Sequence, residues 1–256
     1  MEFQMIKGEK VPSLGLGTWR LSGEECVRVV ECALALGYRH IDTAQMYANE
    51  GEVGRGLRNS GVGREEVFLV TKVRTSSFSR DDVIRSTRES LKKLQTEYVD
   101  LLLMHWPNPS VPLGETLGAM TELQEEGSVK HVGVSNFPPS MVEDATRYAT
   151  VFCNQVEYHP YTAQDELLRQ AKAMDYLLTA YSPVAKGRVS NDATLQEIGE
   201  THSKTPAQVA LRWLIQQEKV AAIPKAASEN HLRSNFDIFN FELSDEEMER
   251  IFALRR

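Results

Sequence analysis

The segment VDLLLMHWP, at residues 99–107, decides how the rest of this sequence is interpreted. Its first six residues form a nearly continuous apolar run of the length of one β-strand. Strands of this kind, buried on both faces, are typical of parallel sheets that are covered by helices. A histidine, His105, follows the run directly. The segment therefore predicts a buried parallel strand that carries a polar group at its C-terminal end.

Seven further apolar runs of similar length are spread along the chain. They are LGLG at 14–17, YRHI at 38–41, VFLV at 67–70, VKHVGV at 129–134, VFCNQV at 151–156, YLLTAY at 176–181 and KVAAI at 219–223. Between most of them lie segments with helical spacing and charged outer faces, such as 23–36, 80–94, 114–126 and 206–218. Strands that alternate with helices indicate a parallel sheet with helices packed on it.

The number of these units favours a closed barrel. Eight strand–helix units of about 32 residues fill the 256 residues, which predicts an α/β fold, the (β/α)8 TIM barrel. A doubly wound open sheet is the alternative, and it usually begins with a G-x-G-x-x-G loop after its first strand. The first run continues instead into GLGTWRLSGEE, at 15–25, which lacks that motif. No Gly-, Ser- or Pro-rich linker interrupts the chain, so we expect a single domain over residues 1–256.

Composition and charge exclude several classes of protein. Hydrophobic residues make up 41% of the chain and charged residues 25%, as in globular proteins and unlike disordered or fibrous ones. No run approaches the ~18 apolar residues of a membrane span, and the N-terminal MEFQMIKGEKVP has no apolar signal core. The net charge of -7 argues against a nucleic-acid partner. The 3 cysteines form no CxxC pair. We therefore expect a cytoplasmic protein without a zinc site or membrane partner.

Polar residues mark the C-terminal strand ends, where a β/α barrel builds its active site. They are Asp42, Lys72, His105, Ser135, Asn136, Asn154, Gln155, Tyr181, Ser182 and Lys225. Any single one has a structural explanation, such as a helix N-cap for Asp42 or a solvent-directed amine for Lys72. These explanations do not account for so many polar groups on one rim, because burying unpaired charge is costly. The rim is therefore predicted to be a catalytic site.

Four residues near this rim suggest acid catalysis on a carbonyl group. Tyrosine has a reference pKa near 10 and is a poor acid at pH 7, but a neighbouring ammonium lowers that pKa. We expect Lys72 to act on Tyr47 in this way, with Asp42 holding the lysine charged and in place. Tyr47 could then donate a proton to a carbonyl oxygen that His105 orients. Reduction also needs hydride, which no side chain supplies, so a reduced nicotinamide is a natural candidate.

The sequence resembles the aldo-keto reductase family over almost its whole length. GYRHIDTAQMYANEGEVG at 37–54 is similar to the first family signature, and TKV at 71–73 and VDLLLMHWP at 99–107 carry the family's lysine and histidine. Further family segments follow in order: VGVSNF at 132–137, NQVEYHPY at 154–161, AYSPVAKG at 180–187 and IPKAASENHLRSNF at 223–236. Within the family, the resemblance is greatest to bacterial 2,5-diketogluconate and methylglyoxal reductases.

The resemblance implies a monomeric barrel enzyme with a short N-terminal β-hairpin, which reduces aldehydes, ketones and dicarbonyls with NADPH. The catalytic tetrad would be Asp42, Tyr47, Lys72 and His105. Ser135, Asn136 and Gln155 would contact the cofactor carboxamide, and Tyr181 would stack on the nicotinamide ring. The pyrophosphate would contact Ser182, Val184 and Lys186. Lys225 would contact the 2′-phosphate, and Asn235 would contact the adenine. Thr18, Trp19, Asp42 and His231 would complete the cofactor site. The substrate, a small carbonyl compound, would contact Trp19, Tyr47, His105 and Trp106.

Three departures from the family pattern modify this expectation. Ala226 stands where the family often has Ser, and His231 where it commonly has Arg, so two contacts to the 2′-phosphate are lost. We therefore expect NADPH to be preferred through Lys225 and NADH to be used as well. The sequence ends in FALRR at 252–256, where relatives usually continue into a tail that folds over the pocket. An open pocket that accepts many small aldehydes and dicarbonyls is expected.

Two other functions remain as alternatives. A non-catalytic nicotinamide-binding regulatory subunit could use the same fold, but the complete tetrad argues against it. An aldolase that forms a Schiff base on Lys72 or Lys225 would need a desolvated lysine of lowered pKa. Asp42 would instead keep Lys72 charged.

Overall fold

A short antiparallel hairpin opens the chain and covers one end of the barrel. The computed structural model describes residues 1–255. Strands β1 (Phe3–Ile6) and β2 (Glu9–Pro12) pair antiparallel. Lys7 and Gly8 join them with φ angles of 47° and 88°. Positive φ at both positions is the geometry that matches a two-residue turn to the twist of a hairpin.

Eight parallel strands follow and form a closed ring. They are β3 (Leu16–Gly17), β4 (His40–Asp42), β5 (Phe68–Val73), β6 (Val99–Met104), β7 (Val129–Ser135), β8 (Val151–Glu157), β9 (Leu177–Tyr181) and β10 (Val220–Ala222). Each strand pairs with the next one along the chain. The ring closes because the Gly15 N–H donates to the Ala222 carbonyl oxygen at 2.8 Å, and the Ala222 N–H donates to that of Ser13 at 2.8 Å. The predicted (β/α)8 barrel and its N-terminal hairpin are confirmed.

Helices surround the ring, as the charged outer faces predicted. They are α1 (Gly23–Leu36), α2 (Glu50–Asn59), α3 (Arg80–Leu94), α4 (Leu113–Glu125), α5 (Pro139–Ala145), α6 (Asp165–Met174), α7 (Ala193–His202), α8 (Pro206–Ile215), α9 (Glu229–Phe236) and α10 (Asp245–Phe252). The predictions for α1 and α3 are confirmed at both ends. Helix α8 ends three residues before the predicted position 218, because Lys219, with φ of 66°, turns the chain into β10. Within residues 1–255, no helix has both the length and the apolar character to cross a bilayer.

The barrel is apolar at the hairpin end and polar at the opposite end. Ile6 and Val11 of the hairpin are fully buried in one cluster with Leu101, Leu103 and Phe152 of the barrel strands. This packing excludes water from the lower interior of the barrel and stabilises it through buried apolar area. Asp42, Lys72 and Gln155 lie towards the opposite, C-terminal ends of their strands, where the loops that follow form a cavity.

Candidate active site

An open cavity of about 900 Å³ lies at the C-terminal ends of the barrel strands. Most of the predicted site residues line it: Trp19, Asp42, Tyr47, His105, Trp106, Ser135, Asn136, Gln155, Tyr181, Ser182, Val184, Lys186 and Lys225. Parallel strands end on the same rim of a barrel, so residues that lie far apart in the sequence meet there. Lys72 does not line the cavity itself, because its side chain is buried behind it.

A buried ion pair forms the base of the cavity. The Lys72 Nζ donates to Asp42 Oδ1 at 2.6 Å and to the carbonyl oxygen of Thr43 at 3.0 Å. The Gln155 Nε2 donates to the other carboxylate oxygen of Asp42 at 2.8 Å. Burial lowers the pKa of Lys72, but Asp42 and then Tyr47 raise it by more in total, so the net pKa lies above its usual value. Lys72 is therefore a fixed cation within the protein interior.

Tyr47 lies between this ion pair and the cavity. It ends a single helical turn, Gln45–Tyr47, which follows β4. Its hydroxyl is 3.5 Å from Lys72 Nζ. Burial raises the pKa of Tyr47 above its usual value, and Lys72 lowers it by a smaller amount. Lys72 therefore acts on the pKa of Tyr47 in the direction expected from the sequence, but desolvation of the phenol outweighs it, so the net pKa is raised.

His105 is held next to Tyr47 as a neutral imidazole. It follows β6, and its ring centroid is 5.7 Å from that of Tyr47, with an angle of 77° between the ring planes. Burial, and then the charge of Lys72, lowers the pKa of His105 to about 4. Its buried Nδ1 has no hydrogen-bond partner among residues 1–255. A neutral imidazole has one N–H to donate, so His105 can hydrogen-bond a carbonyl oxygen without adding charge.

We expect the lowered pKa of His105 to make folding stability depend on pH. An unfolded imidazole has a pKa near 6.5, whereas folded His105 has a pKa of about 4. Between these values the unfolded chain binds more protons, so the free energy of unfolding falls as the pH drops. Urea unfolding measured from pH 7.5 to pH 4.5 should show this fall, and a His105→Gln variant should show less of it. If the free energy of unfolding depended on pH equally in the two proteins, the lowered pKa of His105 would be contradicted.

A hydrogen-bonded group of polar side chains forms the wall beside His105. The Asn136 Nδ2 donates to the carbonyl oxygen of His105 at 3.2 Å, and Asn136 Oδ1 accepts from the Tyr181 hydroxyl at 2.8 Å. The Ser135 hydroxyl donates to the Gln155 carbonyl oxygen at 2.8 Å. Asn136 has a φ of 63°, in the left-handed region where asparagine is tolerated. These contacts fix the side chains of Ser135 and Asn136, two of the three residues that were predicted to hold a carboxamide.

The cavity lining has an apolar part, the apolar limb, and a basic part, the basic limb. Trp19 and Trp106 are 45% and 47% exposed, and their indole rings give one limb apolar walls. The other limb is basic, with Lys186 from the loop after β9 and Lys225 after β10. The first limb suits a small organic substrate, and the second suits an anionic group such as a phosphate.

Three predicted cofactor residues lie away from the cavity lining. The Thr18 side chain is fully buried, and its hydroxyl donates to the Asp42 carbonyl oxygen at 2.9 Å. His231 and Asn235 lie in α9, beyond Lys225; His231 is exposed and Asn235 is half-buried. Direct contact of Thr18 with a ligand in the cavity is therefore not supported, because its side chain is used within the protein.

Several cavity residues were missed by reasoning from the sequence. Arg20, Met46 and Glu157 all line the cavity. The Arg20 guanidinium lies over the Trp19 ring at 4.3 Å, and Met46 is 58% exposed. Arg20 and Met46 are sequence neighbours of predicted site residues, so adjacency could have indicated them. Gly17, Pro183, Gly187 and Ile223 also line it.

The residues present fit a nicotinamide dinucleotide. His105, whose buried Nδ1 has no partner among residues 1–255, lines the cavity together with Asn136 and Tyr181. The basic limb of Lys186 and Lys225 supplies charge for phosphate groups. Within residues 1–255, no three His, Cys, Asp or Glu side chains are grouped to hold a metal ion.

Comparison with known proteins gives consistent matches along the chain. The model of the Aldo/keto reductase family matches residues 13–256. Glyoxal reductase of Bacillus subtilis (strain 168) is 39% identical over 256 residues, which cover 99% of this chain and 92% of that protein. Methylglyoxal reductase DkgB of Escherichia coli O157:H7 is 38% identical over 249 residues, covering 95% and 93%. The crystal structure of a protein provisionally named 2,5-diketo-D-gluconic acid reductase B has a TM-score of 0.98 and 47% identity, covering 100% of this chain and 92% of that one.

These matches define the class of the protein as an oxidoreductase built on a (β/α)8 barrel. The chain belongs to the Aldo/keto reductase family. Members of this family use nicotinamide cofactors and act on small carbonyl compounds. The resemblance seen in the sequence, including its similarity to diketogluconate and methylglyoxal reductases, is confirmed.

Proposed function

We propose that this protein is an NAD(P)H-dependent reductase of small aldehydes, ketones and dicarbonyls, with Tyr47 as the proton donor. The observation that carries the proposal is the buried chain from Asp42 through Lys72 to Tyr47, with separations of 2.6 Å and 3.5 Å, next to neutral His105. A fixed cation beside a phenol favours the phenolate that remains after proton donation. The chain therefore suits a step in which negative charge develops on a carbonyl oxygen.

Each tetrad residue has a distinct part in this proposal. When bound, the reduced nicotinamide supplies hydride to the carbonyl carbon. His105 donates a hydrogen bond that orients the carbonyl oxygen, and Tyr47 transfers its hydroxyl proton to that oxygen. Lys72 stabilises the resulting phenolate, and Asp42 keeps Lys72 charged and in place.

The proposed cofactor site uses the remaining residues of the cavity. Ser135, Asn136 and Gln155 would hold the carboxamide, and Tyr181 would stack on the ring. Ser182, Val184 and Lys186 would hold the pyrophosphate. Lys225 would meet the 2′-phosphate, and His231 and Asn235 of α9 would lie near the adenosine end. A single domain, a monomeric state and a cytoplasmic location stay predictions.

The proposed substrates are small dicarbonyl compounds. Two relatives are named as reductases of glyoxal and of methylglyoxal. One structural neighbour is named as a reductase of 2,5-diketo-D-gluconic acid. The apolar limb beside Tyr47 is bounded by Trp19, Met46 and Trp106. These apolar side chains offer few hydrogen-bonding groups, which supports compact substrates that need few specific contacts.

Turnover assays test the proposal directly. A panel of simple aldehydes, glyoxal, methylglyoxal and keto-sugars should be assayed with NADPH and with NADH, following the absorbance of the reduced nicotinamide, which is consumed as hydride is transferred. Reduction of dicarbonyls supports the proposal. Cofactor binding without turnover of any carbonyl would favour the regulatory-subunit alternative. Covalent trapping of substrate on lysine by borohydride would favour the aldolase alternative.

We expect His231→Arg to tighten NADPH binding by about one to two orders of magnitude. Arginine binds phosphate through two parallel N–H donors, and a hydrogen bond to a charged group contributes about 1.5–3 kcal/mol. NADH lacks the 2′-phosphate, so its affinity should stay nearly unchanged. Fluorescence titration with both cofactors measures the effect, and His202→Arg, in α7 and outside the cavity lining, is the matched control. Unchanged NADPH affinity would show that position 231 does not face the 2′-phosphate, and Arg233 would be the next candidate.

A further inference from the structure

Three buried polar side chains form a closed group directly behind the proposed tetrad. Thr18, Thr43 and Asn49 are each 0% exposed. The Asn49 Oδ1 accepts from the Thr43 hydroxyl at 2.7 Å. The Asn49 Nδ2 donates to the carbonyl oxygens of Thr18 and Leu21, both at 2.9 Å. Every polar atom of the Asn49 carboxamide therefore has a protein partner, as expected for a buried amide.

On one side, Asn49 holds the turn that carries two cavity residues. Thr18 and Leu21 flank Trp19 and Arg20, and the Leu21 N–H donates to the Thr18 carbonyl oxygen at 3.0 Å. Arg20 has a φ of 62°, which is uncommon for a residue other than glycine. The two carbonyl oxygens that Asn49 binds are those at the two ends of this turn. Asn49 therefore sets the position of the turn relative to the barrel.

On the other side, Asn49 is connected to the ion pair. Thr43, whose hydroxyl it binds, offers its carbonyl oxygen to Lys72 Nζ at 3.0 Å. The Thr18 N–H and hydroxyl both donate to the Asp42 carbonyl oxygen, at 3.0 Å and 2.9 Å. The group thus links the turn at Trp19 to the backbone of the residues that hold Lys72.

Asn49 also ends the segment that carries Tyr47. Only Ala48 separates the two residues, and it has a φ of 54°. Glu50, the next residue, is buried and accepts from the Thr71 hydroxyl at 2.6 Å. The backbone after Tyr47 is therefore anchored to the ends of β3 and β4 by Asn49 and to β5 by Glu50. Gln45, at the start of the same turn, holds its other side, because Gln45 Oε1 accepts from the Arg74 N–H at 3.0 Å.

We propose that Asn49 is a positioning residue for carbonyl reduction, which places the Tyr47 hydroxyl and the Trp19 wall at fixed positions relative to the ion pair. The proposal rests on the proposed function. Asn49 does not line the cavity, so it acts through the three segments that its carboxamide joins. Alanine offers no hydrogen bonds at this site, and aspartate offers no N–H donors for the two carbonyl oxygens.

Asn49→Ala tests the proposal through the separation of kcat from KM. A displacement of about 1 Å at a reacting group can lower the rate about 10²-fold, so we expect kcat for methylglyoxal to fall about 10²-fold. KM should change by a smaller factor than kcat, because every side chain that contacts the substrate is still present and, of these, the Trp19 wall and Tyr47 are displaced. Asn59→Ala is the matched control, since Asn59 lies in α2, is exposed and binds only Glu31 among residues 1–255. A folded Asn49→Ala enzyme with kcat within about threefold of the parent would overturn the proposal.

A second pair of variants decides the question if Asn49→Ala does not fold. Thr43→Val keeps the shape of the side chain but removes the hydroxyl that Asn49 Oδ1 accepts, whereas Thr43→Ser keeps the hydroxyl. We expect kcat to fall about 10-fold or more in Thr43→Val and to stay near the parent value in Thr43→Ser. Equal kcat in these two variants would overturn the proposal.

Hydrogen exchange gives a readout that does not depend on turnover. In Asn49→Ala or Thr43→Val, amides of residues 18–21 and 43–49 should exchange about 10-fold faster or more, while those of β6 to β9 stay unchanged. Unchanged exchange in both segments would overturn the proposal. A parent protein that reduces no carbonyl at all would instead contradict the proposed function, and exchange would still decide whether Asn49 holds these segments.

Discussion

Tyr47→Phe is expected to lower kcat by at least about 10²-fold, which is the usual loss when general-acid catalysis is removed. Phenylalanine keeps the ring that packs against His105 but has no proton to donate. The hydroxyl lies 3.5 Å from Lys72 Nζ, and the change removes this contact. Affinity for NADPH should stay almost unchanged, because the proposed cofactor contacts are made by other side chains.

Steady-state kinetics with saturating NADPH, together with fluorescence titration of the cofactor, measure this effect. Tyr148→Phe is the matched control, because Tyr148 is 46% exposed and lies outside the cavity. It should retain the kcat of the parent. Near-parent turnover by Tyr47→Phe would remove Tyr47 from its proposed part and leave His105 as the remaining candidate for the proton donor.

The barrel could be predicted from the sequence because its strands are buried on both faces. Such strands are nearly continuous in apolar residues, so runs like Val99–Met104 stand out from the amphipathic helices between them. The same pattern gives the position of the site, since polar residues at the end of each run lie at the C-terminal rim. Asp42, Lys72 and His105 were found in this way, and the structure brings them together with Tyr47.

Properties that depend on three-dimensional surroundings could not be predicted in this way. The pKa of Tyr47 is raised because the phenol is desolvated, and the degree of burial does not follow from the presence of Lys72 in the sequence. Thr18 was predicted to bind a cofactor, yet its hydroxyl is bound to the Asp42 carbonyl oxygen. The contacts of Asn49 join segments up to 31 residues apart in the sequence. Apolar periodicity gives no information on such hydrogen bonds.

Lys72→Met is expected to abolish most of the activity, by about 10³-fold in kcat. An ammonium about 4 Å from a charge contributes about 4 kcal/mol at the effective dielectric constant of 20 that is typical of proteins, and about 4 kcal/mol corresponds to about 10³ in rate. Without it, the pKa of Tyr47 should rise further, because burial already raises it and Lys72 is the largest opposing influence. The limb of the pH–rate profile that reports Tyr47 should therefore move to higher pH.

The same substitution should also destabilise the fold, by about 3–5 kcal/mol, because it leaves the buried Asp42 carboxylate without its cation. Lys130→Met is the matched control, since Lys130 Nζ pairs with the buried Asp100 at 2.9 Å and lies outside the cavity. It should keep the kcat of the parent. Urea unfolding of each variant separates lost stability from lost chemistry.

Asp42→Asn removes the negative charge of residue 42 and leaves Lys72 in place, so it tests the two charges separately. Asparagine can still accept a hydrogen bond from Lys72 Nζ through its amide oxygen, so Lys72 can remain a cation beside Tyr47. We therefore expect a milder loss of kcat than in Lys72→Met. An Asp42→Asn enzyme as inactive as Lys72→Met would show that Asp42 does more than hold the lysine. The second carboxylate oxygen of Asp42 accepts from Gln155 Nε2 at 2.8 Å. Loss of this contact would release Gln155 in the wall of the cavity and would explain the additional loss of activity.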